Sequence, residues 1–320
     1  MQFNSENIFQ WIGILTILVF SFQFLSFLNY HLRPSRLSKY LKQDGQASWA
    51  VVTGGGGGIG YGFSRELCLQ GFNVIIIGHL RDELEEARTQ LSKLNPSAEI
   101  KLIVLDATTA TYNATQKAIT SILSLNITIL VNNVGGVGAI FKEHFKDLKR
   151  YTGPEIDSVL YMNNRFLTYL TRLLLPTLIR SQPSTIINLS SGAWLGSPYQ
   201  VLYGASKAYV NAFSRGLDIE LRAEGHRDLQ VMAIVLGNVR SKSNVVDTSW
   251  SVPLADDMAR YALQKVGRGR SICVPYWRHG VLIWVLESLL PKFVAETVLT
   301  GVYTDLKKMY LEKGASVKEE

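Results

Sequence analysis

The sequence predicts an α/β fold: a Rossmann-like doubly wound parallel sheet in a single domain, preceded by an N-terminal transmembrane helix. Three observations predict it. Short runs rich in Val and Ile alternate with helix-length segments, a glycine run joins the first such strand to a helix, and an uncharged apolar stretch precedes both. Near-continuous apolar strands are buried on both faces, and the helices between them act as the crossovers a parallel sheet needs.

The apolar stretch from Ile8 to Leu28 carries no charge and is long enough to cross a hydrocarbon core of about 30 Å as a helix. Arg33, Arg36, Lys39 and Lys42 follow it, whereas only Glu6 is charged before it. This asymmetry puts the bulk of the chain in the cytosol. A signal anchor is the expectation, with a membrane hairpin or a signal peptide as alternatives. The chain divides into an anchor (1–30), a basic linker (31–46), a catalytic domain (47–280) and an apolar or amphipathic extension ending in a polar tail (281–320).

Strands are expected at Ser48 to Thr53, Asn73 to Gly78, Ile100 to Asp106, Ile127 to Asn133, Thr185 to Ser190 and Leu229 to Gly237, with a short last one at Ser271 to Pro275. Helices are expected at Gly58 to Gln70, Arg81 to Leu94 and Glu155 to Arg180. Ligands of such sheets bind beyond the carboxyl ends of the strands, so functional residues should follow strands.

Of the 320 residues, 47% are hydrophobic and 18% charged, which favours a packed core with membrane contact over a disordered or nucleic-acid-binding chain. The net charge of +7 suits anionic partners such as phosphorylated cofactors, acyl carriers or lipid headgroups. No basic run interleaved with aromatics points to nucleic acid. The two cysteines, Cys68 and Cys273, stand far apart and give neither a disulfide framework nor a zinc pattern. No metal is expected.

The chemistry-bearing motifs fall where the fold puts them. Thr53-Gly54-Gly55-Gly56-Gly57-Gly58-Ile59-Gly60 follows the first strand; glycines there permit a tight turn and let backbone N–H groups approach a pyrophosphate at a helix N-terminus. Tyr203 and Lys207 lie one helical turn apart on the same face. An ammonium there is expected to draw the phenol's pKa from near 10 toward neutrality, making Tyr203 a proton donor. An exposed Lys beside a half-buried Tyr on an amphipathic helix is the plain alternative.

Together, Thr53 to Gly60, Asn132-Asn133-Val134-Gly135, Asn188-Leu189-Ser190-Ser191 and Tyr203-x-x-x-Lys207 resemble, in order, the motif set of the short-chain dehydrogenase/reductases over roughly residues 47 to 280. Trp49-Ala50-Val51-Val52-Thr53, behind a membrane segment and basic linker, is similar to the membrane-bound very-long-chain 3-oxoacyl-CoA reductase group, related to 17β-hydroxysteroid dehydrogenases of types 12 and 3. Asn-Asn-Val-Gly and Arg278-His279 agree with that.

The resemblance implies a cofactor held by Thr53, Gly54, Gly58, Ile59 and Gly60 around its phosphates, by Asp106 at the adenine, and by Asn132 and Asn133 bracing the central strand and bordering the ribose. Asp106 could instead simply form a turn. After the second strand comes Gly78-His79-Leu80-Arg81 with no carboxylate until Asp82; with no acid to take both ribose hydroxyls, and His79 or Arg81 near a 2′-phosphate, NADPH is expected rather than NADH. Tyr203 would be the acid, Lys207 its partner and ribose contact, and Asn163 the water-holding Asn, with Asn164 as its register rival. The substrate-binding serine is Ser190 by spacing from the Tyr but Ser191 by the N-x-S-S motif, and Ser191 is preferred. The usual Pro-Gly appears as Leu236-Gly237. Val239 would hold the carboxamide through its backbone, and Ser241 replaces the common Thr.

Three functions follow as expectations: reduction of 3-oxoacyl-CoA in fatty-acid elongation at the endoplasmic reticulum, ketoreduction of a steroid or specialised metabolite, or a non-catalytic membrane-tethered scaffold. Homo-oligomers or elongation-complex partners are expected of such a group. Gly280 to Leu290 is expected as an interfacial, substrate-covering or ordinary buried helix, Val252 to Val266 as the substrate lid, and Lys313 to Glu320 as a solvated tail.

Overall fold

In the computed structural model, residues 5–42, 45–137, 143–242 and 244–316 are described, as two compact units, 1–35 and 36–320. The first is essentially one helix, α1 (Ser5–Leu32). Within its stretch Asn7–Leu32, an 18-residue segment has a mean hydropathy of 2.1 and none of that segment is buried. At 1.5 Å per residue it spans roughly 39 Å, more than a hydrocarbon core requires.

The second unit carries seven parallel strands: β1 (Trp49–Thr53), β2 (Asn73–Gly78), β3 (Ile100–Val104), β4 (Ile127–Asn132), β5 (Ser184–Ser191), β6 (Leu229–Leu236) and β7 (Ile272–Cys273). Their order is β3-β2-β1-β4-β5-β6-β7. Strand order therefore reverses between β1 and β4, opening a crevice at their carboxyl ends. The central strands are buried throughout because both faces carry helices: Ala50, Val51, Val52, Ile129, Leu130 and Val131 are fully inaccessible. A buried polar chain ties the middle of the sheet together: Asn132 Nδ2 donates to Asn188 Oδ1 and Thr171 Oγ1, and Asn188 Nδ2 donates to Ser214 Oγ.

The helices are α2 (Gly58–Leu69), α3 (Arg81–Leu94), α4 (Tyr112–Ile119), α5 (Gly153–Leu160), α6 (Phe166–Arg180), α7 (Val201–Ala223), α8 (Ala255–Leu263), α9 (Trp277–Trp284) and α10 (Lys292–Ser316). Two expectations are corrected. The single helix over 155–180 is broken by a π-turn at Tyr161–Arg165, where Asn163 Nδ2 takes the Val159 carbonyl and so competes with the backbone ladder. The segment 252–266 is no lid: α8 buries Met258, Ala259 and Ala262, and its backbone lies so close to α2 that a Cβ on Gly62 would sit 3.0 Å from Ala259. The backbone of α10 continues to Ser316; residues 317–320 of the expected solvated tail lie outside the described ones.

Candidate active site

Two cavities meet above the carboxyl ends of the strands. One, of about 450 Å³, runs from the glycine loop past His79, Asp106 and Asn133 to Tyr203 and Lys207. The other, of about 320 Å³, lies beyond Tyr203 and is lined by Ser191, His144, Phe145, Val239, Tyr303 and Tyr310. Ile59, Gly135, Ser190, Tyr203, Leu236 and Ser241 form the wall they share.

The loop shapes the first cavity by what its glycines lack. Gly54 has φ +63°, a left-handed conformation that favours glycine. A Cβ on Gly60 would lie 2.0 Å from the Gly54 carbonyl oxygen, so the first turn of α2 can close on the loop only with glycine there. Thr53 is buried and acts as a clamp: its Oγ1 accepts from the N–H groups of Asn133 and Val134, and Asn133 Nδ2 donates to the Thr53 carbonyl. This cradle, with bare backbone facing the N-terminus of α2, fits a dinucleotide pyrophosphate. Asp106 borders the cavity while its Oδ1 accepts from Thr108 N and Oγ1; the turn and the lining role coexist.

Several expected contacts are not brought to this cavity. Thr53, Asn132 and Gly60 stand behind its wall, bracing the strand and loop, because their polar groups or close packing are used within the core. Arg81 opens α3 and points along it, 3.7 Å from Glu85 on the following turn and 70% exposed. Val239 faces the second cavity only. The sequence reading missed Glu83 and Lys242, which both line the first cavity and pair at 2.7 Å. The only signal was a lysine directly after Ser241; a partner 159 positions earlier left none.

At the junction, β5 and α7 come together closely. A Cβ on Gly204 would lie 2.7 Å from the Ala193 carbonyl oxygen, so α7 can lie against the turn after β5 because glycine stands there. Successive residues of β5 then point oppositely. Ser190 is buried, its hydroxyl donating to the Lys207 carbonyl. The Ser191 side chain accepts from Ala193 N and lies against the Tyr203 hydroxyl, favouring loss of its proton. Asn163 exchanges hydrogen bonds with both the N–H and the C=O of Gly136, and a Cβ on Gly135 would touch Asn163 Oδ1 at 2.8 Å and Lys207 Nζ at 2.9 Å. Asn164 turns instead to the Ser206 carbonyl on α7.

The expected lowering of the Tyr203 pKa is corrected. Desolvation by burial pushes this phenol up, outweighing the Ser191 hydroxyl. Burial likewise pulls Lys207 down to about 8. Its Nζ donates to the Leu189 carbonyl at 2.9 Å and stands 5.5 Å from the centre of the Tyr203 ring. Tyr203 is thus a protonated donor at neutral pH, beside an amine able to exchange protons near neutrality.

The second cavity owes its far wall to α10, which the sequence pattern did not reveal. Tyr303, Leu306 and Tyr310 line it. Lys307 anchors the helix, pairing with Asp147 at 3.2 Å and lying 3.9 Å over the Tyr199 ring, and Tyr310 bonds Asn244.

A doubly wound sheet with this glycine cradle and a Ser–Tyr–Lys group defines a class of oxidoreductases. The profile described as short chain dehydrogenase matches residues 48–251, and the chain belongs to the short-chain dehydrogenase/reductase family. It is 33% identical over 278 residues to a very-long-chain 3-oxoacyl-CoA reductase-like protein of Arabidopsis thaliana, covering 84% of this chain and 83% of that one. It is 26% identical over 311 residues to very-long-chain 3-oxoacyl-CoA reductase-B of Danio rerio, covering 95% and 96%. A short-chain dehydrogenase from Sphingobium yanoikuyae, solved in complex with NADPH, superposes with a TM-score of 0.62 at 21% identity, covering 76% of this chain and 94% of that one. That last likeness is one of fold.

Proposed function

We propose that this protein is an NADPH-dependent reductase of 3-oxoacyl-CoA thioesters at a membrane surface, working in very-long-chain fatty-acid elongation. The observation that carries the reading is the Tyr203–Ser191 pair at the junction of the two cavities, with Lys207 and Asn163 behind it. A nicotinamide cofactor, when bound, supplies the hydride. Ser191 and Tyr203 direct their hydroxyls at the ketone oxygen, where negative charge develops. Tyr203 gives that oxygen its proton as the carbonyl carbon is reduced, so the ketone becomes a secondary alcohol. Lys207 then restores the phenol's proton, with Asn163 and the Gly135–Gly136 backbone forming the wall behind it. The glycine loop, Asn133, Asp106, His79 and Ser241 hold the cofactor.

The acyl-CoA reading draws on the relatives' names, on α1 and on the surface near α9. There Trp250, Trp277, Trp284, Leu289 and Phe293 are all exposed, and the Arg278 guanidinium lies 5.2 Å from both the Trp250 and Trp277 rings. Tryptophan mixed with arginine suits a headgroup boundary. A bilayer there would hold a chain too long for a 320 Å³ cavity. The endoplasmic reticulum, with the catalytic unit on the cytosolic side, fits this reading. A ketosteroid is the second reading, favoured by the aromatic wall of Phe145, Tyr303 and Tyr310.

The test is NADPH oxidation by detergent-solubilised protein offered a long-chain 3-oxoacyl-CoA and a ketosteroid in parallel, with Tyr203→Phe as the blank. The expected result is turnover of the acyl-CoA, lowered by a factor of about 10²–10⁴ in the variant. Turnover of the steroid alone, or of neither, sinks the acyl-CoA reading.

A further inference from the structure

The segment leaving β6 borders both cavities: Leu236 and Ser241 line both, and Gly237 and Val239 the second. It lacks the proline that the family pattern puts before Gly237, yet it is held. Gly237 N–H donates to His279 Nδ1 at 3.0 Å. A backbone N–H can only donate, so Nδ1 must be bare and the ring's hydrogen sits on Nε2. There it meets the Ser251 carbonyl oxygen at 2.8 Å. One neutral ring thereby joins the end of β6, the loop before α8 and the first turn of α9. It is 3% exposed, and a Cβ on Gly237 would lie 2.6 Å from its Cδ2. The contact therefore requires glycine on one side and this flat acceptor on the other.

We infer that neutral His279 is the positioning residue of the cofactor site, fixing Gly237 to Ser241 in the place of the missing proline. The inference rests on the NADPH reading for its functional consequence, though the brace itself does not. Protonation of Nδ1 would set an N–H against an N–H and break it. Burial holds His279 below its ordinary value, against the backbone hydrogen bonds of Ser251 and Asn238, which pull it up. Among the described residues, the charged or titratable groups in contact with it or its aromatic neighbours are Tyr276, edge-on at 4.9 Å, Tyr261 stacked on Tyr276, and Arg278, bonded to the Tyr276 hydroxyl. The brace thus holds at neutral pH and fails as pH falls through a value below 6.5.

The test compares wild type, His279→Phe and His279→Asn, all full-length in detergent. Hydrogen exchange over residues 237–242 is read without cofactor, and NADPH affinity is read by fluorescence from pH 5 to 8. The phenylalanine variant should exchange faster at 237–242 and bind NADPH about tenfold more weakly. The asparagine variant, which keeps an acceptor for Gly237 N–H, should bind within about threefold of wild type and show a shallower acid-side fall in affinity, the cofactor phosphate's own titration being common to both. Unchanged exchange in a folded His279→Phe protein overturns the brace. Faster exchange with unchanged NADPH affinity overturns its role in the cofactor site, as does an acid limb as steep in His279→Asn as in wild type, since the cofactor's own phosphate titrates equally in both. A wild-type protein that shows the exchange difference but binds no NADPH refutes the cofactor reading and leaves the brace standing.

Discussion

Replacing Lys207 with methionine should stabilise the folded protein while abolishing its chemistry. Lys207 is 4% exposed, and burial lowers it from its ordinary 10.5 to about 8. At ~1.4 kcal/mol per tenfold, holding the charge there at neutral pH costs ~3 kcal/mol. Methionine fills a similar volume without that cost but forfeits the bond from Nζ to the Leu189 carbonyl, a loss of ~1–2 kcal/mol. The balance is a gain of ~1–2 kcal/mol, or roughly 2–5 °C in melting temperature for a domain of this size. Because the folded value is depressed, the penalty is complete below about 8 and is relieved as pH rises toward the unfolded value near 10.4. Wild-type stability should therefore climb relative to the variant between those limits. Lys265, also held down to about 8, titrates in both proteins and cancels in the difference. Thermal melts of both proteins from pH 7 to 10.5 provide the assay. A variant melting at or below wild type at pH 7, or a difference independent of pH, would refute the reasoning.

Two further outcomes follow from close contacts. Gly204→Ala places a methyl 2.7 Å from the Ala193 carbonyl, which should cost ~1–3 kcal/mol and lower kcat as α7 shifts Tyr203 away from Ser191; unchanged kcat in a correctly folded variant would count against that geometry. Glu83→Gln removes a carboxylate lying 2.8 Å from where a Gly57 Cβ would stand and leaves Lys242 unpaired, so the ratio of NADPH to NADH affinity should rise about fivefold, worth ~1 kcal/mol, and an unchanged ratio in fluorescence titrations would remove Glu83 from cofactor choice.

The sheet was legible in the sequence because its strands are buried on both faces: Val51, Ile75, Leu130 and Ile186 need no partner pattern to announce them. The glycine loop and the Tyr203–Lys207 spacing were equally visible, since both are local. What escaped depends on distance or on solvent. The Glu83–Lys242 pair and the α10 wall join residues about 160 positions apart. Charge spacing suggested that Lys207 would lower the Tyr203 pKa, but burial governs both groups and is invisible in a four-residue motif. The supposed lid failed for a different reason. Met258, Ala259 and Ala262 already form one apolar helical face, and that pattern pointed to packing all along.

The far wall of the second cavity comes from α10, while Ser191, Asn163, Tyr203 and Lys207 sit on β5, the π-turn and α7. Under the proposed function, part of what recognises the substrate is thereby kept apart from what acts on it. Leu306 and Tyr310 lie on one contiguous stretch of that wall with Tyr303, which also helps to raise the Tyr203 phenol. Under the proposed function, substitutions along the twenty-five residues of α10 would reshape the wall that meets an acyl chain or a polycyclic ketone, a modularity that a site assembled wholly from loops around the sheet would lack.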